Sequence, residues 1–394
     1  LAKVKIPIGP QHPALKEPEN FTLTLDGETV VEADIRIGYV HRGIEKLIES
    51  RNYFQNLYLI ERICGICSYT HMENYAQNVE EILGLKVPLR AEYIRTLFLE
   101  LERLHSHLLW LGVAGHEIGF DTFFMYTWQD REVVQDLLES ISGNRVNYAM
   151  NTIGGVRRDV GEEQKKKVLA AMDHLEKRVE YYKDVAVNEK TILVRTQGVG
   201  VLKQRVALKL AAVGPTARAS GIKMDIRKDD PCATYAETPF DMITTDTCDV
   251  FGRLVVRVLE IFESIKIIRY LMDKMPAGDL KAKQMKAPPI VPEGEAISHT
   301  EAPRGEDMHY LRSNGTDKPE RYKIRTPTLA NMPSVAEMLK ETHLADVPII
   351  IASIDPCMGC MDRVVVLRDE KKEVLDMESL RRYGIKWYEN RGWK

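Results

Sequence analysis

Four of the six cysteines fall into two C-x-x-C pairs, Cys64-Gly65-Ile66-Cys67 and Cys357-Met358-Gly359-Cys360. Thiolates three residues apart can face one point from a single helical turn. Two such pairs brought together make a four-sulfur pocket suited to a soft metal ion or a metal cluster. The stretch from Cys67 to Cys357 is far longer than the roughly 15 to 20 residues of a compact zinc ribbon, so a shared site has to lie deep, between distant elements. Cys232 and Cys248 have no such spacing and read as ordinary residues.

The elements that would carry the pairs follow from the pattern of residues. The opening reads as antiparallel strands, Val4 to Ile8, Phe21 to Leu25 and Thr29 to Ile37, with an Asp26-Gly27 turn. Between the first two strands lies the loop Gly9 to Pro18, whose Pro10, Pro13 and Pro18 fix an irregular path of the kind that presents side chains to a site. From about Gly43 to Val187 apolar residues recur three and four apart, which predicts helices within Pro88 to Leu111, Gln129 to Ser140 and Glu162 to Tyr182. Another long helix is expected from Asp246 to Met275. Val347 to Ile354 reads as a buried strand or helix end leading into Asp355-Pro356-Cys357. After Arg363 the pattern suggests a hairpin, Val364 to Leu367 with Glu373 to Leu375, and a short helix from Ser379 to Tyr383. The expected fold is α+β, a single mostly helical domain over 1–394. It has a β-rich start at 1–40, a helical core at 43–280, a metal-motif region at 281–363 and a tail with a small β element at 364–394.

Composition narrows the function classes. A chain of 394 residues that is 44% hydrophobic can bury a large core. Its 55 Lys and Arg nearly cancel 58 Asp and Glu, for a net charge of -3, which argues against nucleic acid as a partner. No run approaches the roughly 18 apolar residues of a membrane span, and none resembles an export signal. The chain is therefore expected to be soluble, with its C-x-x-C pairs serving as a metal or redox device in a reducing cytoplasm. Charge-rich stretches such as Glu163 to Lys167 read as solvated helix faces.

The flanks of the two pairs are Arg62-Ile63-Cys64-Gly65-Ile66-Cys67-Ser68-Tyr69-Thr70-His71 and Asp355-Pro356-Cys357-Met358-Gly359-Cys360-Met361-Asp362-Arg363. They resemble the signatures of the NiFe-hydrogenase large-subunit family, R-x-C-G-x-C-x-x-x-H and D-P-C-x-x-C-x-x-H/R. The resemblance continues, toward the branch related to respiratory complex I, in Gly9-Pro10-Gln11-His12-Pro13, His41-Arg42-Gly43-Ile44-Glu45-Lys46 and Glu102-Arg103-Leu104-His105-Ser106-His107. It reaches further to Ile153-Gly154-Gly155-Val156-Arg157, Gly214-Pro215-Thr216-Ala217-Arg218 and Glu301-Ala302-Pro303-Arg304-Gly305. Membrane-bound hydrogenases, formate hydrogenlyase and a membrane-bound sulfane sulfur reductase are the similar proteins.

This resemblance implies that Cys64, Cys67, Cys357 and Cys360 are nickel ligands, with Cys67 and Cys360 also bridging to iron. It places His71 as a hydrogen-bond donor to a bridging sulfur, and Arg304 over the metals with its cationic fork toward the iron's diatomic ligands, oriented by Asp355. Taken alone His71 would read as a core histidine; its offset from Cys67 gives it a site role. His105 and His107, at i and i+2, point apart on a helix and read as structural hydrogen-bonding groups. A structural zinc would explain the cysteines but not the flanking motifs.

Two departures shape the expectation further. Lys16 stands where related membrane-bound hydrogenases look acidic, and a lysine, with a reference pKa near 10.4, shuttles protons poorly at neutral pH, leaving the adjacent Glu17 as a stand-in. The resemblance also implies that hydrogenase large subunits of this branch are cut after the arginine matching Arg363, whereas this chain runs on to Lys394. The leading expectation is accordingly a pocket without nickel and iron, in a subunit that reduces sulfane sulfur or polysulfide with ferredoxin electrons. Reduction would occur at a 4Fe-4S cluster of a small partner subunit, in a cationic cavity walled by His12, Lys16, Arg62, His71 and Arg304. The chain would sit on the cytoplasmic face of the cell membrane beside membrane-embedded ion-translocating subunits, reached through the 9–18 loop and the 41–46 segment. The alternatives are a hydrogen-evolving enzyme with a loaded nickel–iron centre and a non-catalytic cavity scaffold. Complex I large subunits lack the four cysteines, which disfavours a quinone enzyme.

Overall fold

The structure, a computed structural model, describes residues 3–282, 289–361, 363, 366–368, 371–373 and 377–390. Strands β1 (Val4–Ile8), β2 (Asn20–Asp26) and β3 (Thr29–Arg36) form an antiparallel sheet in that order, as their alternation and the Asp26-Gly27 turn predict. Two short helices follow, α1 (Ile44–Ile48) and α2 (Tyr53–Ile60), the latter started by a capping box between Asn52 and Gln55. Then come α3 (Ser68–Leu83), α4 (Leu89–Glu117) and α5 (Asp121–Ser142). A two-stranded turn, β4 (Asn151–Thr152) with β5 (Gly155–Val156), leads to α6 (Glu162–Asn188) and the short helices α7 (Lys190–Thr196), α8 (Gln204–Lys209), α9 (Gly214–Arg218) and α10 (Ile226–Asp229). Helix α11 (Val250–Lys274), capped by the Asp249 side chain on Gly252 N, packs with α4 and α6, and α5 lies against α4 and α6.

Residues 281–363 hold a feature that the sequence reading missed, an antiparallel sheet of β6 (Gly294–Ala302), β7 (Gly305–Ser313) and β8 (Pro319–Arg325) packed on α3. Its buried face carries Ala296, Ser298, Thr300, Asp307 and His309, so period-two hydrophobicity is absent where it would have been sought. Helix α12 (Pro327–Met338) is capped by Thr326, and α13 (Val347–Ser353) settles the strand-or-helix ambiguity in favour of helix. Beyond Arg363, β9 (Val366–Arg368) pairs with β10 (Lys371–Glu373) and α14 (Met377–Glu389) follows, so a hairpin and a helix are present. The expected residues 364, 365, 374 and 375 lie outside the described ones.

What joins the bundle to the second sheet is a buried ionic seam. Arg218 on α9 meets Glu260 on α11 at 2.8 Å and Glu301 on β6 at 2.7 Å; Arg227 meets Asp225 at 2.7 Å and Glu100 on α4 at 3.3 Å. All are essentially inaccessible to solvent. At the same junction the backbones of Gly214 and Gly305 touch: a Cβ on Gly214 would lie 2.4 Å from Gly305 Cα, so only glycine fits. This fixes the Pro303-Arg304 turn between β6 and β7.

Removing one partner from such a seam leaves the others buried and uncompensated. Arg218→Ala is expected to cost about 3–5 kcal/mol in denaturant titrations. The seam also predicts the acid response. Burial opposes ionisation of Asp225, but the charges of Arg227 and Arg218 prevail and hold it at about 2. Because the folded value lies below the unfolded one of about 4, the contribution is full above pH 4 and fades as pH falls toward 2. Denaturation midpoints at pH 6 and pH 3 should differ accordingly, and less so in Asp225→Asn.

Candidate metal centre

Each cysteine pair sits on a tight turn held by buried polar groups. The first follows a 3-10 turn, Glu61–Ile63, and runs into α3, for which Cys67 is the residue before the first turn. The free N–H groups at the start of α3 are taken by Glu102 on α4, which accepts from Tyr69 N at 2.6 Å and Thr70 N at 3.0 Å, a carboxylate placed where the helix dipole favours it. Burial nevertheless pushes Glu102 up to about 7. His105 Nε2 donates to the carbonyl of Ile66, between the two cysteines, at 3.0 Å, while His107 points the other way to Glu260 at 2.9 Å. Burial lowers His105 to about 3 and His107 to about 4, so both are neutral.

The second pair is aimed by Asp355, which ends α13 in the left-handed region at φ 57°, a strained setting for a side chain with Cβ. Arg304 supports that turn, donating from Nε to Asp355 O at 2.5 Å and from Nη2 to Asp355 Oδ1 at 2.9 Å. Cys357 N donates to Thr328 Oγ1 on α12 at 3.1 Å, and a 3-10 turn spans Met358–Cys360.

The two turns meet. Cys64 Sγ lies 3.4 Å from Cys357 Sγ, and Cys357 Sγ 3.0 Å from Cys360 Sγ; Cys67 joins Cys360 in a second cluster with His71. All four thiols are buried. Burial works against ionising Cys64, yet hydrogen bonds from Cys357, Cys360 and Cys67 and the charge of Arg304 outweigh it and hold this thiol well below its usual range. The other three are pushed up. Binding a soft cation there would release the remaining thiol protons. Arg304 Nη1 and Asp355 Oδ2 are buried with no partner beside this cluster. A four-sulfur donor set with an unspent cationic donor next to it fits a nickel–iron group better than a closed structural zinc, which has no use for that donor.

His71 Nε2 lies 3.7 Å from Cys67 Sγ, and its Nδ1 lies 2.9 Å from Asp307 Oδ2, which also meets His309 Nε2 at 3.0 Å. Asp307 and His309 belong to the polar strand face described above and had no readable signal. Two cavities flank the cysteines. One, of about 500 Å³, is walled mainly by apolar side chains of α4 and α5, among them Leu109, Val113, Phe124 and Trp128, and reaches Lys16, Glu17 and Cys357. The other, of about 340 Å³, is lined by His41, Arg42, Arg62, Glu17, Cys64 and Cys357. Glu17 and Cys357 stand between the two.

The remaining expected site residues are placed unevenly. Lys16 extends to Glu117 on α4, Nζ to Oε1 2.8 Å, at the rim of the larger cavity, while Glu17 Oε2 accepts from Gly359 N at 3.0 Å inside the second cysteine turn. Arg62 donates to Tyr58 O and Glu61 at the mouth of the smaller cavity. His12 is exposed on its own loop and lines neither cavity, and His71 and Arg304 are enclosed behind the sulfurs rather than on a cavity wall.

Among the described residues no helix is long and apolar enough to cross a membrane. Comparison with known proteins gives a consistent result. The family description "Respiratory-chain NADH dehydrogenase, 49 Kd subunit" matches residues 117–290 and 284–363, and "Nickel-dependent hydrogenase" matches residues 42–174. The membrane-bound hydrogenase subunit alpha of Pyrococcus furiosus is 44% identical, covering 97% of this chain and 92% of that one. The carbon monoxide-induced hydrogenase of Rhodospirillum rubrum is 41% identical over 91% of this chain and 99% of its own length. Among solved structures, the membrane-bound sulfane sulfur reductase, an archaeal respiratory membrane complex, has a chain that superposes with a TM-score of 0.88 at 34% identity, covering 92% of this chain and 98% of that one.

Proposed function

The chain belongs to the family that joins nickel-dependent hydrogenases to the 49 kDa subunit of the respiratory NADH dehydrogenase, and from that premise we propose that it is the metal-bearing large subunit of a membrane-associated hydrogenase. The observation that carries this reading is the meeting of the two cysteine turns in one buried four-sulfur cluster beside an unspent arginine donor. A nickel–iron centre held by Cys64, Cys67, Cys357 and Cys360 would supply the interconversion of protons, electrons and dihydrogen.

The chain's own residues do the rest. Glu17, on the wall of both cavities beside Cys357, gives and takes protons at its carboxylate. Lys16, at the rim of the same cavity, pairs with Glu117, which leaves proton transfer to Glu17 in this reading. Arg304 holds positive charge against the sulfurs, fixed in direction by Asp355. His71 orients toward Cys67, and the apolar walls of the larger cavity limit water around the cluster. Electrons arrive from a small 4Fe-4S partner, with ferredoxin as donor. The complex couples this to ion-translocating membrane subunits on the cytoplasmic face, in keeping with the membrane-bound and respiratory relatives.

A second reading, reduction of sulfane sulfur at the partner's cluster, is favoured by the likeness to the sulfane sulfur reductase and by the cationic smaller cavity, where Arg42 and Arg62 would attract polysulfide anions. Nickel and iron are to be quantified in the intact complex, together with hydrogen evolution and polysulfide reduction. Stoichiometric nickel with hydrogen evolution is the expected result. Sulfur reduction by a nickel-free complex would reject the proposal.

A further inference from the structure

The two cysteine turns come from opposite ends of the chain, yet among the described residues no backbone-to-backbone hydrogen bond joins one to the other. The guanidinium of Arg42 does so instead. Arg42 precedes α1, and its Nη1 donates to Arg62 O at 3.0 Å while Nη2 donates to Ile63 O at 2.7 Å and to Gly359 O at 2.7 Å. Ile63 is the residue before Cys64 and Gly359 the residue before Cys360. One planar fork thus spans both turns at the positions that aim the sulfurs. Gly359 is held on its N-terminal side as well, by Glu17, which accepts its N–H at 3.0 Å. A Cβ on Gly359 would sit 3.0 Å from Glu17 Oε1, close enough that the Glu17 carboxylate would have to shift.

We propose that Arg42 is a positioning residue that pre-assembles the four-sulfur pocket, setting the separation of its two halves before metal binds. The physical need is plain. Four sulfurs drawn together repel one another once ionised, and a pocket that relies on the metal alone to join its halves must order them at the moment of binding. A lysine could not replace the fork, because a single ammonium on a flexible stem does not present two nitrogens in fixed directions to the three carbonyls. The inference rests on the metal-binding reading of the cysteines but not on the reaction assigned to them.

The test uses Co²⁺ as a probe of the full chain purified without metal, read by its sulfur-to-cobalt charge-transfer absorption, with circular dichroism as the check on folding. Wild type is expected to bind Co²⁺ through thiolates. Arg42→Ala and Arg42→Lys are both expected to bind about 10–100-fold more weakly, the scale of losing a group that orients metal ligands, and to show an altered charge-transfer band. Gly359→Ala, which disturbs the grip from the Glu17 side, should act in the same direction and serves if Arg42→Ala does not fold. Wild-type affinity and band shape in folded Arg42→Ala would overturn the inference, and wild-type behaviour in Arg42→Lys would show that charge suffices and overturn the role of the fork. Absence of a thiolate band in wild type would instead refute the metal-binding reading itself.

Discussion

Replacing Cys64 or Cys357 with alanine is expected to reduce hydrogen turnover to background and to remove nickel from the purified complex. Their sulfurs make the contact that joins the two halves of the cluster, at 3.4 Å, and alanine offers no soft ligand in place of either. The loss should also appear as lost stabilisation. A metal present at roughly 1,000 times its dissociation constant adds about 4 kcal/mol to the folded state, and the variants should gain none of this. Thermal unfolding with and without metal measures that difference directly. Metal-dependent stabilisation in Cys357→Ala equal to wild type would mean that the four sulfurs do not act as one site.

The second large effect is expected at Glu17. Glu17→Gln removes the proton-carrying group but keeps an amide oxygen able to accept the Gly359 N–H, so the second cysteine turn stays in place. Nickel content should therefore be unchanged while turnover falls about 100- to 10,000-fold, the usual span for loss of a positioned general acid or base. Lys16→Ala, by contrast, breaks only a partly exposed ion pair with Glu117 and should change turnover little. Turnover within twofold of wild type in a nickel-loaded Glu17→Gln complex would assign proton movement elsewhere. Loss of nickel in that variant would make Glu17 a purely structural grip.

The contrast between these neighbours shows where reading the chain stops. Lys16 and Glu17 are adjacent in a proline-rich loop, and nothing in residue type tells which faces the sulfurs; the direction is set by the loop's contacts with Glu117 on α4 and with the Gly359 peptide. Lys16 does line the larger cavity beside Cys357, whereas His12 lines neither cavity that reaches the cysteines, a difference that position in the motif does not state. The 41–46 segment is expected to reach toward membrane subunits, but the grip of Arg42 on the cysteine turns is not legible in it, since its partners there are backbone carbonyls, which carry no sequence signal. Asp307 and His309 carry no sequence signal because a strand whose buried face is polar gives no hydrophobic alternation.

Local chemistry by itself determined the opening strands, the long helices with their apolar spacing, and the two C-x-x-C turns with the kind of ion that four sulfurs would suit. These depend on residue propensity and on spacings of a few positions, which a linear chain states openly. Only the tertiary structure decided that the turns meet, that Arg304 faces them with a donor to spare, that Glu17 holds the N–H of Gly359 while Lys16 pairs with Glu117, and that a single guanidinium ties the halves together. Each of these is a contact between segments far apart in the chain, fixed by packing of the bundle against the second sheet, and no local pattern encodes it.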